Sequence, residues 1–578
     1  MGAPRVGVME TSRDARAGQD GVGGVGYRRE RVGAGEDSAS PRVPVLPVEL
    51  VVPLRQDLDE AGYTAEGVAD LLGPVASAAL RRDRLGPVRR VLDRVGRTPL
   101  ASLLRLFALG ETVAGEDLDA ACPRVRADGL NRIGLVVPSA EASTPGGGRW
   151  RAACDLQPYG DEEHTWWVAS DLAEAVTGRP LHPDHVLGIG GASLTLAAWT
   201  PRIPGGRVLD VGTGCGVQAL HAAGHAEHVV ATDLSQRALA FAVFTMTLAD
   251  QRWDLRRGDL FTPVGGWDSG EGRGAHGSDG DGATPERFDL VVSNPPFVIT
   301  PRDTDLPLFE YRDGGREGDA LVEAFVRGVG THLAPGGVAC FLADWEVRRD
   351  GDWRDRWREW LDTPECAGLD AWVIAREYQD PAEYAELWSR DGGHAPGTPE
   401  FDAWTTAWLD DFDSRDVGAV WFGVVVLQRP AERRERWVDL DEVVGRVDSP
   451  MGPHVARGLA ARTRLHAMSD DELFAATWVT APDVTEERHS RPGAADPSVI
   501  LVRQGGGFRR AIRADTALSA FVSVCDGDLT GEVAVTAIAA LTEEDPVSLR
   551  RRLAAPVRRL VADGLLVPPA EGRRGEGS

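Results

Sequence analysis

The sequence predicts an α/β protein: a seven-stranded, Rossmann-like sheet with a helical, winged-helix-like domain at each end. Three observations predict it. Between Gly206 and Arg429, apolar runs without alternation take turns with helical stretches, the pattern of a parallel sheet covered on both faces. The blocks ending "RADGLNRIGLVVP" and "VSLRRRLAAPVRRLVADGLLVPP" each read as a helix, a glycine turn and a short strand. Finally, 578 residues are more than one core can fill.

Each element has its own signal. Residues 1–45, rich in Gly, Arg, Glu and Ser, read as a disordered tail. Residues 46–150 read as helical, with Thr64 in "YTAEGVADLLG" and Thr98 in "TPLASLLRLFALG" placed to cap helices. Residues 151–205 connect to the sheet domain through "WRAACDLQPYG", "TWWVASDL" and a Gly-interrupted helix, "HVLGIGGASLTLAAW". The sheet domain, 206–430, carries strand candidates "RVLDVG", "HVVATDL", "WDLRRGD", "FDLVVSN" and "GVACFLADW", then "DAWVIAREY" and "AVWFGVVVLQR" around a helical insertion. Residues 265–287 form a Gly/Asp/Ser stretch with Trp267 as its one core-forming residue, expected to be a mobile insertion. Residues 431–568 read as the second winged-helix-like domain, and 569–578 as a tail.

Composition excludes several classes. The net charge is −26, and all 63 positive charges are arginine. An acidic protein repels nucleic acid at long range, so such a partner needs a local basic patch. Two arginine clusters offer one, "ALRRDRLGPVRRVLDRVGR" and "LRRRLAAPVRRL". The six cysteines are scattered without a C-x-x-C pair, which speaks against a zinc site or a disulfide framework and fits a reducing cytoplasm. No apolar run is long enough for a membrane helix, and no metal site is expected.

"RVLDVGTGCGVQAL" is a strand, a glycine turn and a helix start. Gly212, Gly214 and Gly216 let the backbone turn tightly and approach a ligand. Asp233 ends the next strand, at the distance where an acid grips ribose hydroxyls in nucleotide-binding folds. The third glycine follows the second by two residues, not three, and Asp210 precedes the turn. A carboxylate there repels a pyrophosphate but suits a ligand bearing an ammonium group, such as S-adenosylmethionine. Asp259, in "RRGDLF" with Leu260 beside it, closes the third strand and is placed to accept from the adenine amino group.

In "FDLVVSNPPFVIT" a buried strand stops at Asn294-Pro295-Pro296-Phe297. Neither proline has an N–H, and each restricts its predecessor to extended conformations. Asn294 and the Pro295 carbonyl, expected free, then form two rigid acceptors suited to a planar –NH2 donor. Phe297 supplies a face for a planar group to stack on. An activated methyl needs orientation more than base catalysis.

Residues 206–345 resemble a class I S-adenosylmethionine-dependent methyltransferase of the group carrying an N-P-P-[FY] motif. "VLDVGTGCG", "ATDLS", "GDLF" and "VVSNPPFV" match its motifs in order, and "GGREGDALVEAFVRGVGTHLAPGGVACFLAD" is similar to the segment that follows. That group modifies exocyclic amines of bases or the side-chain amide of glutamine in release factors. The resemblance implies cofactor roles for Asp210, Gly212, Gly214, Gly216, Asp233, Asp259 and Leu260. It implies acceptor roles for Asn294, Pro295, Pro296 and Phe297. The expected acceptor is a base of ribosomal or transfer RNA, with a translation-factor glutamine as the alternative. A non-catalytic, cofactor-sensing regulator is a third reading, against which the intact N-P-P-F speaks. Residues 46–200 and 431–567 match no module of that group.

Overall fold

The computed structural model describes residues 41–139, 148–178, 181–265, 284–302, 312–494 and 496–569. The expected tails over 1–40 and 570–578, and insertion residues 266–283 with Trp267, lie outside them. Residues 41–45, read as the end of the first tail, are bound instead. The Val45 N–H donates to the Ile133 carbonyl at 2.8 Å, and Arg237 donates to the Pro41 carbonyl.

At the centre is one mixed sheet. Its strands are β1 Arg207–Val211, β2 His228–Asp233, β3 Asp254–Arg257, β4 Phe288–Ser293, β5 Leu333–Arg348, β6 Asp370–Gln379, β7 Val417–Gln428 and β8 Val438–Glu442. They lie in the order β8-β6-β7-β5-β4-β1-β2-β3. β7 is antiparallel to both β5 and β6, and the remaining pairs are parallel. Both faces are covered: Val208, Leu290 and Val292 pack to one side, Leu209, Val211 and Val291 to the other. That is why these strands read as unbroken apolar runs.

The expected count of seven is corrected to eight. β8 lies in "WVDLDEVV", whose acids argue against a strand. Asp439 and Asp441 are tolerated because Arg462, Arg510 and Arg559, all from later in the chain, neutralise them. β5 also runs longer than expected, Leu333–Arg348 against "GVACFLADW". Past Phe341, β5 has no partner on β4, and with β7 and the end of β6 it projects beyond the rim where β1, β2 and β4 stop. Helices Pro381–Asp391 and Pro399–Ser414, the insertion between β6 and β7, pack on this projection.

The N-terminal module has six helices between Val48 and Ile133 and a sheet of Val113–Ala114, Arg149–Ala152 and Val136–Pro138. Thr64 and Thr98 cap as expected, accepting from Gly67 and Ala101. Gly134, at φ 92°, ends helix Arg126–Ile133 before the last of those strands. Asp155–Gly160 and Thr165–Ser170 pair as a hairpin. The Gly-interrupted helix is confined to Gly191–Trp199.

The C-terminal module has five helices between Gly452 and Ala562 and two three-stranded sheets. Helix Pro546–Ala562 is followed by Gly564, at φ 76°, and the short strand Leu566–Val567. Among the described residues no helix is long and apolar enough to cross a membrane.

The C-terminal module is fastened to β8 by charge. Arg462 is nearly buried, 2.7 Å from Asp439 and 3.4 Å from Asp563, with its guanidinium 3.7 Å above the Trp372 ring. Removing one member of such a cluster strands the others in a low dielectric. Arg462→Met is expected to cost about 3–5 kcal/mol in denaturant unfolding. Arg488→Ala, at an exposed pair with Glu486, should change stability by less than about 0.5 kcal/mol.

Candidate cofactor and acceptor site

The glycine turn between β1 and helix Val217–Ala223 has all three glycines at positive φ: Gly212 at 73°, Gly214 at 56° and Gly216 at 95°. L-residues rarely adopt that region, so the turn requires glycine. The N–H groups of Gly212 and Thr213 both donate to the Thr232 carbonyl at 2.9 Å. No atom lies within 4 Å of the Cβ that Gly212 or Gly214 lacks, so space is open beside them. At Gly216 a Cβ would stand 2.7 Å from the Trp253 ring, so this glycine admits a core side chain.

The three acids occupy different environments. Asp210 lies within β1 and is fully buried. The Thr213 hydroxyl donates to its Oδ2 at 2.7 Å, and among the described residues Oδ1 has no partner. Burial pushes this carboxyl up to about 7 and the charge of Asp233 adds to the rise, while Thr213 and the Ala219 N–H pull the other way. Asp233 ends β2, and its carboxylate accepts from the Gly214 N–H at 2.9 Å and the Ser235 N–H at 2.8 Å. Asp259 stands two residues past β3, half-exposed, with Arg316 3.5 Å away. Leu260 is buried at a left-handed φ of 44°, a strained conformation for a side chain of its kind.

Asn294 follows β4 directly, next to the end of β1. The Ser293 hydroxyl joins those strands by donating to the Val211 carbonyl at 2.8 Å. Asn294 Oδ1 is buried and has no partner among the described residues. The Pro295 carbonyl differs from expectation: it accepts the Phe297 N–H at 2.8 Å. Pro296 cannot donate, so the chain folds back until the next N–H reaches that oxygen, leaving one lone pair of two. Phe297 is half-buried between the two faces of the core and bridges to Asp313.

The anchors of this loop were not visible in the sequence. Tyr384 OH accepts the Ile299 N–H at 2.9 Å and donates to Asp344 Oδ2 at 3.0 Å, while Trp408 Nε1–H donates to the Ile299 carbonyl at 2.6 Å. Asp344 is fully buried on the β5 projection, and burial raises its carboxyl well above the usual range. Tyr384 and Trp408 lie 85 and 109 residues from Ile299, and no local signal ties them to it. Leu234, beside Asp233, is 63% exposed, an apolar side chain left open at a polar rim. Among the described residues no group of three His, Cys, Asp or Glu side chains is placed to hold a metal.

The Asp210 carboxyl has a pH signature. A raised carboxyl stabilises the fold below its ordinary range, and that contribution is lost as the pH climbs through about 7. A cationic ligand beside it favours the ionised form instead. Affinity for S-adenosylmethionine, measured by calorimetry, should therefore rise roughly tenfold between about pH 6 and 8. Asp210→Asn should flatten that profile, and a flat wild-type profile would remove Asp210 from cofactor binding.

Residues 60–146 match a family described as a domain of unknown function (DUF7059). The chain is 31% identical over 183 residues to a ribosomal protein uL3 glutamine methyltransferase of Bradyrhizobium diazoefficiens, a match covering 30% of this chain and 51% of that protein. It is 35% identical to a release factor glutamine methyltransferase of Cereibacter sphaeroides, covering 23% of this chain and 45% of that one. A ribosomal RNA small subunit methyltransferase C of an Enterobacter species is 28% identical, covering 27% and 35%. The chain thus spans about half or less of the length of these curated relatives. A putative methyltransferase of Bacillus halodurans, a solved structure, is 17% identical with a TM-score of 0.25, covering 42% of this chain and 100% of that one. The central domain has a methyltransferase-like α/β fold with a large mixed sheet, and the named sequence relatives are methyltransferases of glutamine and of ribosomal RNA.

Proposed function

We propose that this chain is an S-adenosylmethionine-dependent methyltransferase that moves a methyl group to a planar exocyclic nitrogen, foremost that of a base in ribosomal or transfer RNA. One observation carries the reading. Asp210 Oδ1 and Asn294 Oδ1 are buried acceptors without partners among the described residues, at the ends of neighbouring strands. A buried oxygen left without a donor is costly, so such a pair fits donors that a ligand brings.

The residues fit the cofactor. Asp210, tied to the glycine turn through the Thr213 hydroxyl, suits its ammonium group. Asp233, fixed by two backbone N–H groups at the end of β2, suits the ribose hydroxyls. Leu234, Asp259 and Leu260 suit the adenine. The cofactor supplies a methyl group activated on a sulfonium sulfur. Asn294 Oδ1 and the remaining lone pair of Pro295 O accept from the acceptor's –NH2 and aim its nitrogen lone pair. Pro296 stiffens that arc, and Phe297 stacks on the planar group. The helix–glycine–strand endings of the two terminal modules are winged-helix-like in this reading and serve acceptor recognition.

A glutamine amide of a translation-factor or ribosomal protein is the second reading. It presents the same planar –NH2, and two of the relatives above are named for it.

Asn294→Ala is expected to lower turnover by about 10²-fold or more while S-adenosylmethionine affinity stays within about twofold. Asp233→Ala should weaken cofactor binding strongly, since Gly214 and Ser235 lose their acceptor. Calorimetry reads the affinities. Transfer of radiolabelled methyl to a lysate from a strain lacking this protein, followed by nuclease or protease, reads the acceptor. Label that survives nuclease but not protease moves the assignment to glutamine. Unchanged cofactor binding in Asp233→Ala overturns the site.

A further inference from the structure

The sequence holds two similar arginine clusters, and the structure separates them. In helix Pro546–Ala562 the arginines are engaged. Arg550 pairs with Asp471 and Glu532, Arg552 with Asp515 and Glu544, Arg558 with Asp470, and Arg559 with Asp441 and Asp563. Arg551 lies near enough to Asp545 to help lower its carboxyl. Among the described residues Arg551 is the one exposed arginine of that helix without an ion pair, so little is left there to meet a polyanion.

The N-terminal cluster is different. Residues 81–97 hold seven arginines and two aspartates in a chain whose net charge is −26. Helix Leu85–Val95 buries Val88 and Leu92 and turns its arginines outward. Arg89 and Arg97 are paired, and Arg84 lies close enough to Asp83 to oppose the rise that burial imposes on its carboxyl. Asp93, the other acid of the segment, is taken by Arg105. Arg81, Arg82, Arg90 and Arg94 are exposed and form no ion pair among the described residues. Arg90 and Arg94 are one turn apart on the same face, and the arginines from 84 to 94 span about 15 Å.

This surface is linked to the acceptor side of the rim by a short series of contacts. Arg89 donates to Glu111 at 2.8 Å. The Cβ that Gly110 lacks would lie 2.4 Å from Val176, and the one that Gly393 lacks would lie 2.8 Å from the Glu174 carboxylate. Gly393 joins the two helices whose Tyr384 and Trp408 clamp Ile299, two residues after Phe297.

We propose that the outward arginines of residues 81–94 are a phosphate-binding surface that docks a structured RNA beside the acceptor loop. Four unpaired guanidiniums in an otherwise acidic chain complement a phosphate backbone. The surface positions the substrate and reads no sequence. The choice of RNA rests on the methyltransferase reading above, while the charge arrangement stands by itself.

The test uses the full chain and a fluorescent RNA hairpin of roughly 30 nucleotides, followed by anisotropy. With four phosphate contacts, affinity should fall roughly 100-fold between about 50 and 200 mM salt. R81E/R82E/R90E/R94E should lose at least about tenfold in affinity at the lower salt and show a salt slope smaller by about three units. R550Q/R552Q should bind as the wild type does. Thermal melts check that the variants fold. Should the fourfold variant misfold, R90A/R94A should lower the slope by about two. Unchanged affinity and slope in a folded variant overturn the proposal. Equal binding of a duplex DNA of the same sequence overturns the choice of RNA, and failure of the wild type to bind either nucleic acid leaves a protein partner in its place. Calorimetry with S-adenosylmethionine on the same samples keeps the two readings apart: no cofactor binding in the wild type strikes the methyltransferase assignment and leaves the docking result standing.

Discussion

The Asp233 carboxylate holds the candidate site together. It receives the Gly214 N–H from the turn after β1 and the Ser235 N–H from its own strand end, at 2.9 and 2.8 Å. A charge-assisted bond from a glycine at φ 56° fixes a turn that would otherwise relax, because an unconstrained glycine has more backbone freedom to lose than any other residue. With the turn fixed, space opens beside Gly212 and Gly214 and Asp210 stays buried beneath them. The raised Asp210 carboxyl follows from that burial and from the neighbouring Asp233 charge.

The rim is completed from a distance. β4 delivers Asn294 next to β1, and the loop beyond it pairs with the chain at Arg312 and Asp313. It is also fastened at Ile299, held on one side by Tyr384 and on the other by Trp408. Both belong to the insertion between β6 and β7, which packs on the part of β5 and β7 that outruns the parallel core. The long strands thus have a purpose: they carry the wall from which the acceptor loop is positioned.

Charge organises the periphery in the same way. In a chain without lysine, arginine serves every cationic role, and its planar fork suits carboxylates in two-point contacts. Where acids are close, as around Arg462, Arg510 and Arg559, arginines fasten the C-terminal module to β8. Where the nearby acids are taken by other arginines, as around Arg90 and Arg94 on helix Leu85–Val95, the same side chain is left facing solvent.

The sequence by itself determined the inner strands that carry the rim, because strands covered on both faces are mostly apolar and so announce themselves locally. It also determined the glycine turn, since the positive φ values there admit hardly any other residue, and the stop at Asn294-Pro295-Pro296, since proline ends a ladder. The tertiary structure alone decided what depends on partners remote in the chain. β8 reads as too acidic for a strand until three distant arginines neutralise it. The Pro295 carbonyl reads as free until the chain folds back on it. The two arginine clusters read alike because their availability depends on whether distant acids come within pairing distance, which no local pattern encodes.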